Sequence, residues 1–163
     1  MHKIIAMLLL CTQIFANTTQ WTNEAINNIM SMQGQDESAY FTRIEKYFTA
    51  EAFSTYKNNF SKTNMPLISE LKLTMSGKAV EALQADETTE NQFNGKYILT
   101  FQGKDIDLTQ NLAVKVNITS DDTDQPRISQ LSFDKLSDAK IKMKSYEQLT
   151  MCKKRKEQNT NAE

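Results

Sequence analysis

The sequence has only one histidine, His2, and two cysteines, Cys11 and Cys152, in its 163 residues. His2 and Cys11 lie in an N-terminal segment that resembles a removable leader, so the mature chain is expected to hold no histidine and one thiol. This excludes a Ser-His-Asp or Cys-His catalytic arrangement and a Cys/His zinc cluster. A single thiol forms no intrachain disulfide. Because Cys152 lies in a polar stretch, we interpret it as an idle thiol, with an intermolecular bridge as the alternative.

Glycine and proline are also scarce, with four and two residues respectively. The glycines stand far apart, so the chain has no glycine-rich phosphate-binding loop and is not dominated by linkers. The formal net charge of −1 lacks the basic excess of a nucleic-acid binder. The length fits one domain, and 39% apolar with 24% charged residues is ordinary for a soluble globular protein. No cofactor and no nucleic-acid partner are predicted.

Residues 1–16, MHKIIAMLLLCTQIFA, have the pattern of a bacterial secretory signal peptide. A positive start precedes the apolar run 4–10, and Ala16 is a small residue at a plausible cleavage point, so the mature chain is predicted to begin at Asn17. The apolar run is shorter than the roughly 20 residues that span a bilayer. We therefore predict a periplasmic protein exported by a cleavable leader. The alternative is inner-membrane association through an uncleaved segment or a lipidated Cys11.

Helical spacing of apolar residues marks the first part of the mature chain. Thr18 or Thr19 is expected to cap the first helix, and Thr49 the third. The aromatic stripe of the second and third helices is interpreted as core rather than as a ligand box. Pro66 is expected to end the helical pattern. The three apolar faces comprise Trp21, Ala25, Ile29 and Met32, then Tyr40, Phe41, Ile44, Tyr47 and Phe48, and finally Phe53, Tyr56 and Phe60.

After Pro66 the apolar period changes to two, which predicts strands. The Asn94–Gly95 pair is expected to form the turn before the second strand. Helices followed by an antiparallel meander predict an α+β fold, with helices on one face of a curved sheet of about four strands, of the NTF2-like cone type. The alternating positions are Leu71, Leu73 and Met75 running on past Gly77 to Leu83, then Tyr97, Leu99 and Phe101, then Leu112, Val114, Val116 and Ile118, and then Leu131 and Phe133.

The C-terminal residues differ in charge from the rest of the mature chain. Residues 138–163 hold seven basic and four acidic residues, a net of +3, whereas residues 17–137 hold eleven basic and sixteen acidic residues, a net of −5. We therefore predict an NTF2-like domain at 17–137 and a charged tail at 138–163. A solvated tail is the preferred interpretation. The alternative is contact of the basic clusters KIKMK and KKRK with an anionic membrane surface or an acidic partner.

A conical fold of this type can enclose a pocket, in which an isomerase needs only a carboxylate and a hydrogen-bond donor. Candidate groups are Asp105, Asp107 or Glu81 with Tyr97. Nothing in their spacing places them in one pocket, so no catalytic residue is assigned and no enzyme is predicted. The acidic run 121–124 lacks the spacing of an EF-hand loop, so we interpret it as a solvated turn rather than as a metal site.

Several pieces of the chain, in order, resemble the DotI/IcmL family, inner-membrane components of type IVB secretion systems that are related to a conjugation protein of IncI plasmids. The strands carry NGKY at 94–97, TQNLAVKV at 109–116 and QPRISQLSF at 125–133. The helices carry YFTAEAF at 47–53, and Trp21 with Ala25. The resemblance spans about Trp21 to Phe133, most of the mature chain.

This resemblance implies an NTF2-like periplasmic domain without enzymatic activity that acts as an oligomeric part of a secretion assembly. The implied partners are other secretion-system subunits and further copies of the chain. The family's secretion component has a membrane-spanning helix where this chain has only a short leader, so we expect an exported accessory form of the periplasmic domain. The alternative function is a periplasmic small-ligand binder, or an isomerase-like enzyme, that uses the interior of the cone.

If the function is protein contact, polar and aromatic residues of the resembling segments are the candidates to meet a partner. For Gln110 and Asn111, pairing with the backbone of the fold is the alternative interpretation. Trp21 is alternatively a core anchor of the first helix. The candidates are Trp21, Tyr97, Gln102, Thr109, Gln110, Asn111 and Gln130.

Overall fold

The computed structural model describes residues 18–34 and 36–144. The predicted leader at 1–16, its cleavage point between Ala16 and Asn17, and Cys152 lie outside the described residues. Within the described ranges, no helix is long and apolar enough to cross a membrane. The helices are α1 at 18–29, α2 at Glu37–Ile44, a 3-10 turn at Glu45–Tyr47, α3 at Ala50–Thr63 and α4 at Met65–Glu70. The strands are β1 at Thr74–Ala85, β2 at Gln92–Gln102, β3 at Ile106–Ser120, β4 at Pro126–Lys135 and β5 at Lys140–Met143.

The sheet is an antiparallel meander in the order β1-β2-β3-β4, with β5 added to β3. β4 and β5 lie end to end along the same edge of β3, because β4 pairs with residues 112–120 and β5 with residues 106–109. β5 falls within residues 138–163, so part of the predicted solvated tail is a strand of the sheet. The sheet therefore has five strands, where the sequence predicted about four.

The core lies between the helices and one face of the sheet. On β3, Leu112, Val114 and Val116 are buried at alternate positions, as the period of two requires. Helix α1 lies close on β1, since a Cβ atom added at Gly77 would stand only 2.5 Å from Cβ of Met30. This arrangement confirms the predicted α+β fold of helices on an antiparallel sheet. The NTF2-like designation stays a prediction.

Two predicted local features at helix starts have different outcomes. The side chain of Thr49 accepts a hydrogen bond from the backbone N–H of Ala52 at 3.3 Å, so Thr49 caps α3 as predicted. Thr18 and Thr19 are already helical, so the prediction that one of them caps α1 is wrong. Pro66 lies in the first turn of α4, where a missing N–H leaves no helical hydrogen bond unmade. The helical region therefore continues past Pro66, contrary to the prediction, and β1 begins only at Thr74.

The prediction of a turn at Asn94–Gly95 is also wrong. Both residues lie inside β2, opposite Lys115 and Val114 of β3. The chain instead turns between β1 and β2 at residues 86–91, where the carboxylate of Asp86 accepts backbone hydrogen bonds. Gly95 serves a close approach, because a Cβ atom there would stand 2.8 Å from the carbonyl oxygen of Glu81 in β1.

Candidate functional site

An apolar groove of about 1020 Å³ lies between α3 and the helix-facing side of the sheet. Of the fourteen residues of α3, only Phe60 is fully buried, so the helix covers the sheet incompletely and leaves this space. The groove is large enough for a small ligand or for a short polypeptide segment. Its apolar walls include Tyr56, Phe60, Phe101, Leu112, Leu131 and Phe133.

An aromatic cluster between α2 and α3 holds the helical wall of the groove in place. The ring of Tyr40 stacks on Phe60 with centroids 5.0 Å apart, and Tyr56 stacks on Phe48 at 5.3 Å. The hydroxyl of Tyr40 donates to the carbonyl oxygen of Ile29 at 2.6 Å and accepts from the hydroxyl of Tyr56 at 2.6 Å. Burial raises the pKa of both tyrosines, so both stay protonated and hydrogen-bonded. The aromatic stripe is thus core, as predicted, although two of its members also face the groove.

The charged residues that line the groove are Glu51, Lys115 and Lys135, all of them exposed, and the hydroxyl of Tyr56, which also lines it, is hydrogen-bonded to Tyr40. Within the described residues, no buried carboxylate lines this space. General acid or base catalysis needs a titratable group held against the substrate. The groove therefore offers shape and apolar surface, with charge only at its rim.

The carboxylates considered as acid or base candidates lie elsewhere. Glu81 forms an ion pair with Lys96 on the exposed side of β1 and β2 at 2.9 Å. Asp107 pairs with Lys144 at 2.7 Å beside β5. Asp105 is exposed in the turn between β2 and β3 and does not line the groove. The structure does not bring any of these carboxylates to the groove.

Tyr97, the donor considered with those carboxylates and also a candidate for partner contact, is 1% exposed in the core. Its hydroxyl donates to Oδ1 of Asn23 at 3.2 Å, and burial raises its pKa. A side chain in this position anchors α1 to the sheet. It is not accessible to a partner.

Gln110 and Asn111 lie in the middle of β3, between the parts of its edge that β4 and β5 cover. Their side-chain amides donate to the carbonyl and hydroxyl oxygens of Ser137, in the link between those two strands. The backbone N–H of Leu136 donates to the carbonyl oxygen of Asn111 at 3.0 Å. The structure therefore places the amide of Gln110 on the fold's own backbone, as the alternative interpretation predicted, and the amide of Asn111 on the hydroxyl of Ser137.

The other predicted contact residues are distributed over the molecule. Thr109 and Gln130 line the groove together with Gln110, so three of the seven candidates meet there. Gln102 is exposed at the end of β2 and does not line the groove. Trp21 is half-buried against Tyr47, with an edge-on ring contact at 6.0 Å, which fits its interpretation as a core anchor.

The acidic run 121–124 forms a tight turn between β3 and β4. The carboxylate of Asp121 accepts hydrogen bonds from Thr123 and Gln125 and pairs with Arg127 at 2.8 Å. These hydrogen bonds, led by that of the Thr123 hydroxyl, lower the pKa of Asp121 to about 2. Among the described residues, no group of His, Cys, Asp or Glu is arranged to hold a metal ion.

The groove has one feature that sequence reasoning missed: it runs along an edge of β4 that, beyond Ile128, no other described strand covers. Residues 129–133 of β4 all line it. The alternation of Leu131 and Phe133 predicted a strand, but alternation is the same in edge and central strands. The sequence therefore contained no signal for the open edge.

Comparison with known proteins finds solved structures with a similar fold. No family model matches it, and a search of curated proteins finds no match. An IcmL-like type IV secretion system protein from Legionella pneumophila superposes with a TM-score of 0.64 at 19% identity, covering 76% of this chain and 94% of that one. The periplasmic domain of DotI gives a TM-score of 0.60 at 20% identity, covering 72% and 92%. A periplasmic fragment of TraM gives 0.52 at 13%, covering 76% and 97%.

These likenesses agree with the DotI/IcmL resemblance of the sequence and confirm it at the level of the fold. At identities of 20% or less, a shared fold is what they show.

Proposed function

We propose that the chain is a non-enzymatic periplasmic assembly or accessory protein of a type IVB secretion system, acting through protein contacts. The observation that carries the proposal is the likeness of fold to an IcmL-like secretion protein and to the periplasmic domain of DotI over most of the chain. The residues that resemble the DotI/IcmL family in sequence lie in α1, in the 3-10 turn and the start of α3, and in β2, β3 and β4; each of these elements except the 3-10 turn also contributes residues to the groove.

The surface chemistry of the described residues also supports protein contact. An apolar groove bordered by an open strand edge offers both apolar surface and directional backbone hydrogen bonds, which are the two components of peptide recognition by strand addition. Among the described residues that line the groove, no carboxylate is buried. In this proposal the partners are other subunits of the secretion assembly and further copies of the chain.

The test is mild crosslinking in the native bacterium, followed by affinity recovery of a tagged copy and mass spectrometry. The proposal predicts enrichment of inner-membrane or periplasmic secretion subunits over a matched control, a tagged periplasmic protein of similar size and unrelated fold. Recovery of the tagged chain alone, at native expression and with the control equally clean, would count against it.

Export by a cleavable leader is part of the proposal, and it has its own test. The predicted domain at 17–137 would be released by cleavage after Ala16. Intact-mass measurement of the exported protein is expected to give a chain that begins at Asn17. A mass that retains residues 1–16 would contradict cleavage and favour the anchored alternative.

A second candidate function is that of a periplasmic small-ligand binder, and the volume of the groove favours it. Native mass spectrometry of protein purified from its own bacterium would show a bound small molecule, and Ala52→Trp, which fills the groove from α3, would remove it. An isomerase-like version has less support, since Asp105, Asp107 and Glu81 lie away from the groove.

A further inference from the structure

The outer edge of β4 is covered at its start and open beyond it. The backbone N–H of Thr49 donates to the carbonyl oxygen of Ile128 at 3.0 Å, and Phe48 forms a parallel bridge with Ile128. Past Ile128, no described residue pairs its backbone with this outer edge. The backbone pairing of β4 there is with β3, at the opposite edge. The described residues therefore cover the start of this edge and leave the rest of it unpaired.

The backbone groups at the open edge can be assigned from the ladder. The N–H of Leu136 donates to the carbonyl oxygen of Asn111, so Leu136 points its backbone groups toward β3. In an antiparallel ladder the direction alternates with each residue. The backbone N–H and C=O groups of Leu131, Phe133 and Lys135 therefore point away from β3, toward the open edge.

The same residues present apolar side chains to the groove. Leu131 and Phe133 are half-buried, and their partners in β3 are Val116 and Val114, which belong to the core face. Helix α3 forms the opposite wall through Ala52 and Thr55. A strand laid against β4 at this point would place every second side chain beside Leu131 and Phe133, inside the groove.

We propose that a partner polypeptide adds an extended segment to the free edge of β4 and inserts alternate apolar side chains into the groove. This inference rests on the proposed function, because it takes the partner to be another subunit of the assembly. The charged residues that line the groove, Glu51, Lys115 and Lys135, are all exposed, so none is held inside it to pair with a charge on the partner. The segment is therefore apolar at alternate positions and uncharged on the side that enters.

The free backbone groups favour a polypeptide over a lipid or small apolar ligand. An exposed strand edge is a row of donors and acceptors at the spacing of another strand, and natural proteins normally cover such an edge or guard it with charge. Of the three residues whose backbone groups point to this edge, Leu131 and Phe133 are apolar and only Lys135 carries a charge. A helix could fill the groove but would leave these backbone groups unpaired.

The experiment uses the full-length protein in its native bacterium, with p-benzoylphenylalanine in place of Leu131 in one variant and of Phe133 in another. After irradiation, the crosslinked residues of the partner are mapped by mass spectrometry. We expect the two variants to reach one segment of one partner, at positions two residues apart. Positions three or four apart, a lipid adduct, a second copy of this chain, or no crosslink from either position would each overturn the proposal.

Two lysine variants, one a test and the other its matched control, are compared by the yield of crosslinked partner from position 133. Leu131→Lys puts a charge into the groove, and we expect the yield to fall at least about tenfold, equivalent to about 1.4 kcal/mol. Asp134→Lys puts a positive charge on an exposed residue of the same strand that does not line the groove, and it should change the yield less than about twofold. Equal effects would overturn the proposal. If circular dichroism shows that the Leu131→Lys variant is unfolded, Ala52→Trp is used instead. This substitution blocks the groove without changing β4 and is expected to give the same loss of yield.

The outcomes separate this inference from the proposed function. A two-residue period on a polypeptide that is not a secretion subunit would support strand addition and contradict the proposed assembly. Secretion subunits recovered by mild crosslinking, but never reached from Leu131 or Phe133, would support the assembly and overturn strand addition.

Discussion

Replacing Asn23 with alanine is expected to release α1 from the edge of β1. The side-chain amide of Asn23 pairs with the backbone of Leu83 in β1, as a neighbouring strand would. Its Oδ1 accepts from the N–H of Leu83 at 2.9 Å, and its Nδ2 donates to the carbonyl oxygen of Leu83 at 3.1 Å. The same Oδ1 accepts from the hydroxyl of Tyr97 at 3.2 Å. Leu83 and Tyr97 are both buried, so water does not readily replace the lost partner.

The magnitude follows from the three hydrogen bonds. Each contributes about 1 kcal/mol net, and a buried group left without a partner costs toward the upper end of about 1–3 kcal/mol. We therefore expect Asn23→Ala to lower the free energy of unfolding by about 3 kcal/mol. For a chain of this length, at about 2–4 °C per kcal/mol, the melting temperature should fall by about 6–12 °C.

Urea unfolding followed by tryptophan fluorescence measures this change, because Trp21 is the only tryptophan and lies two residues before Asn23 on α1. Asn28→Ala is the matched control on the same helix, since the side-chain hydrogen bonds of Asn28, to Glu24 of its own helix and from Arg43 of α2, are exposed, and about 0.5 kcal/mol or less is expected. If Asn23→Ala lowers the free energy of unfolding no more than Asn28→Ala does, the side chain of Asn23 does not hold α1 to the sheet and the reasoning is refuted.

Three further changes have definite outcomes. Gly77→Ala should destabilise the fold by about 1–3 kcal/mol, because the new methyl group meets Met30; an unchanged unfolding midpoint in urea would contradict the packing of α1 on β1. Gln110→Ala should speed amide hydrogen exchange in β5 while leaving β1 and β2 unaffected, and uniform exchange rates would show that its side chain does not hold the link between β4 and β5. Asp121 has a folded pKa of about 2, below its ordinary 3.8, so it contributes stability that is present above about pH 4 and lost as pH falls toward 2. Asp121→Asn should remove that part of the acid dependence, measured by urea unfolding at each pH, and Asp122→Asn should leave it intact.

The elements that the sequence predicted correctly are those whose periodicity is set by burial. Val114 and Val116 are buried at alternate positions because one face of β3 packs on helices. Tyr40 and Phe41 belong to an apolar face with helical spacing because α2 packs on α3. The chain must bury these side chains in either case, so pattern alone located α1, α2, α3 and four of the strands, but not α4. β5 was missed because all four of its residues are exposed, which leaves no pattern of burial to detect.

Local signals failed where tertiary contacts changed the role of a residue. Asn94–Gly95 is a favoured turn pair, yet Gly95 lies in β2 because the backbone of β1 approaches it closely. Gln110 and Asn111 stood out as polar groups in an apolar strand, but the link between β4 and β5 passes beside them and takes their hydrogen bonds. Which side of β4 lacks a neighbour depends on the topology of the sheet, and the pattern of Leu131 and Phe133 does not encode it.

The most direct test of the proposed function is translocation of a reporter-fused substrate of the secretion system, measured in a bacterium from which this chain has been deleted. The account predicts that translocation falls and that wild-type protein supplied in trans restores it, whereas a copy lacking residues 1–16, and therefore not exported, does not. Translocation equal to that of the parent strain, with the rest of the secretion assembly intact, would contradict a role for this chain in the system.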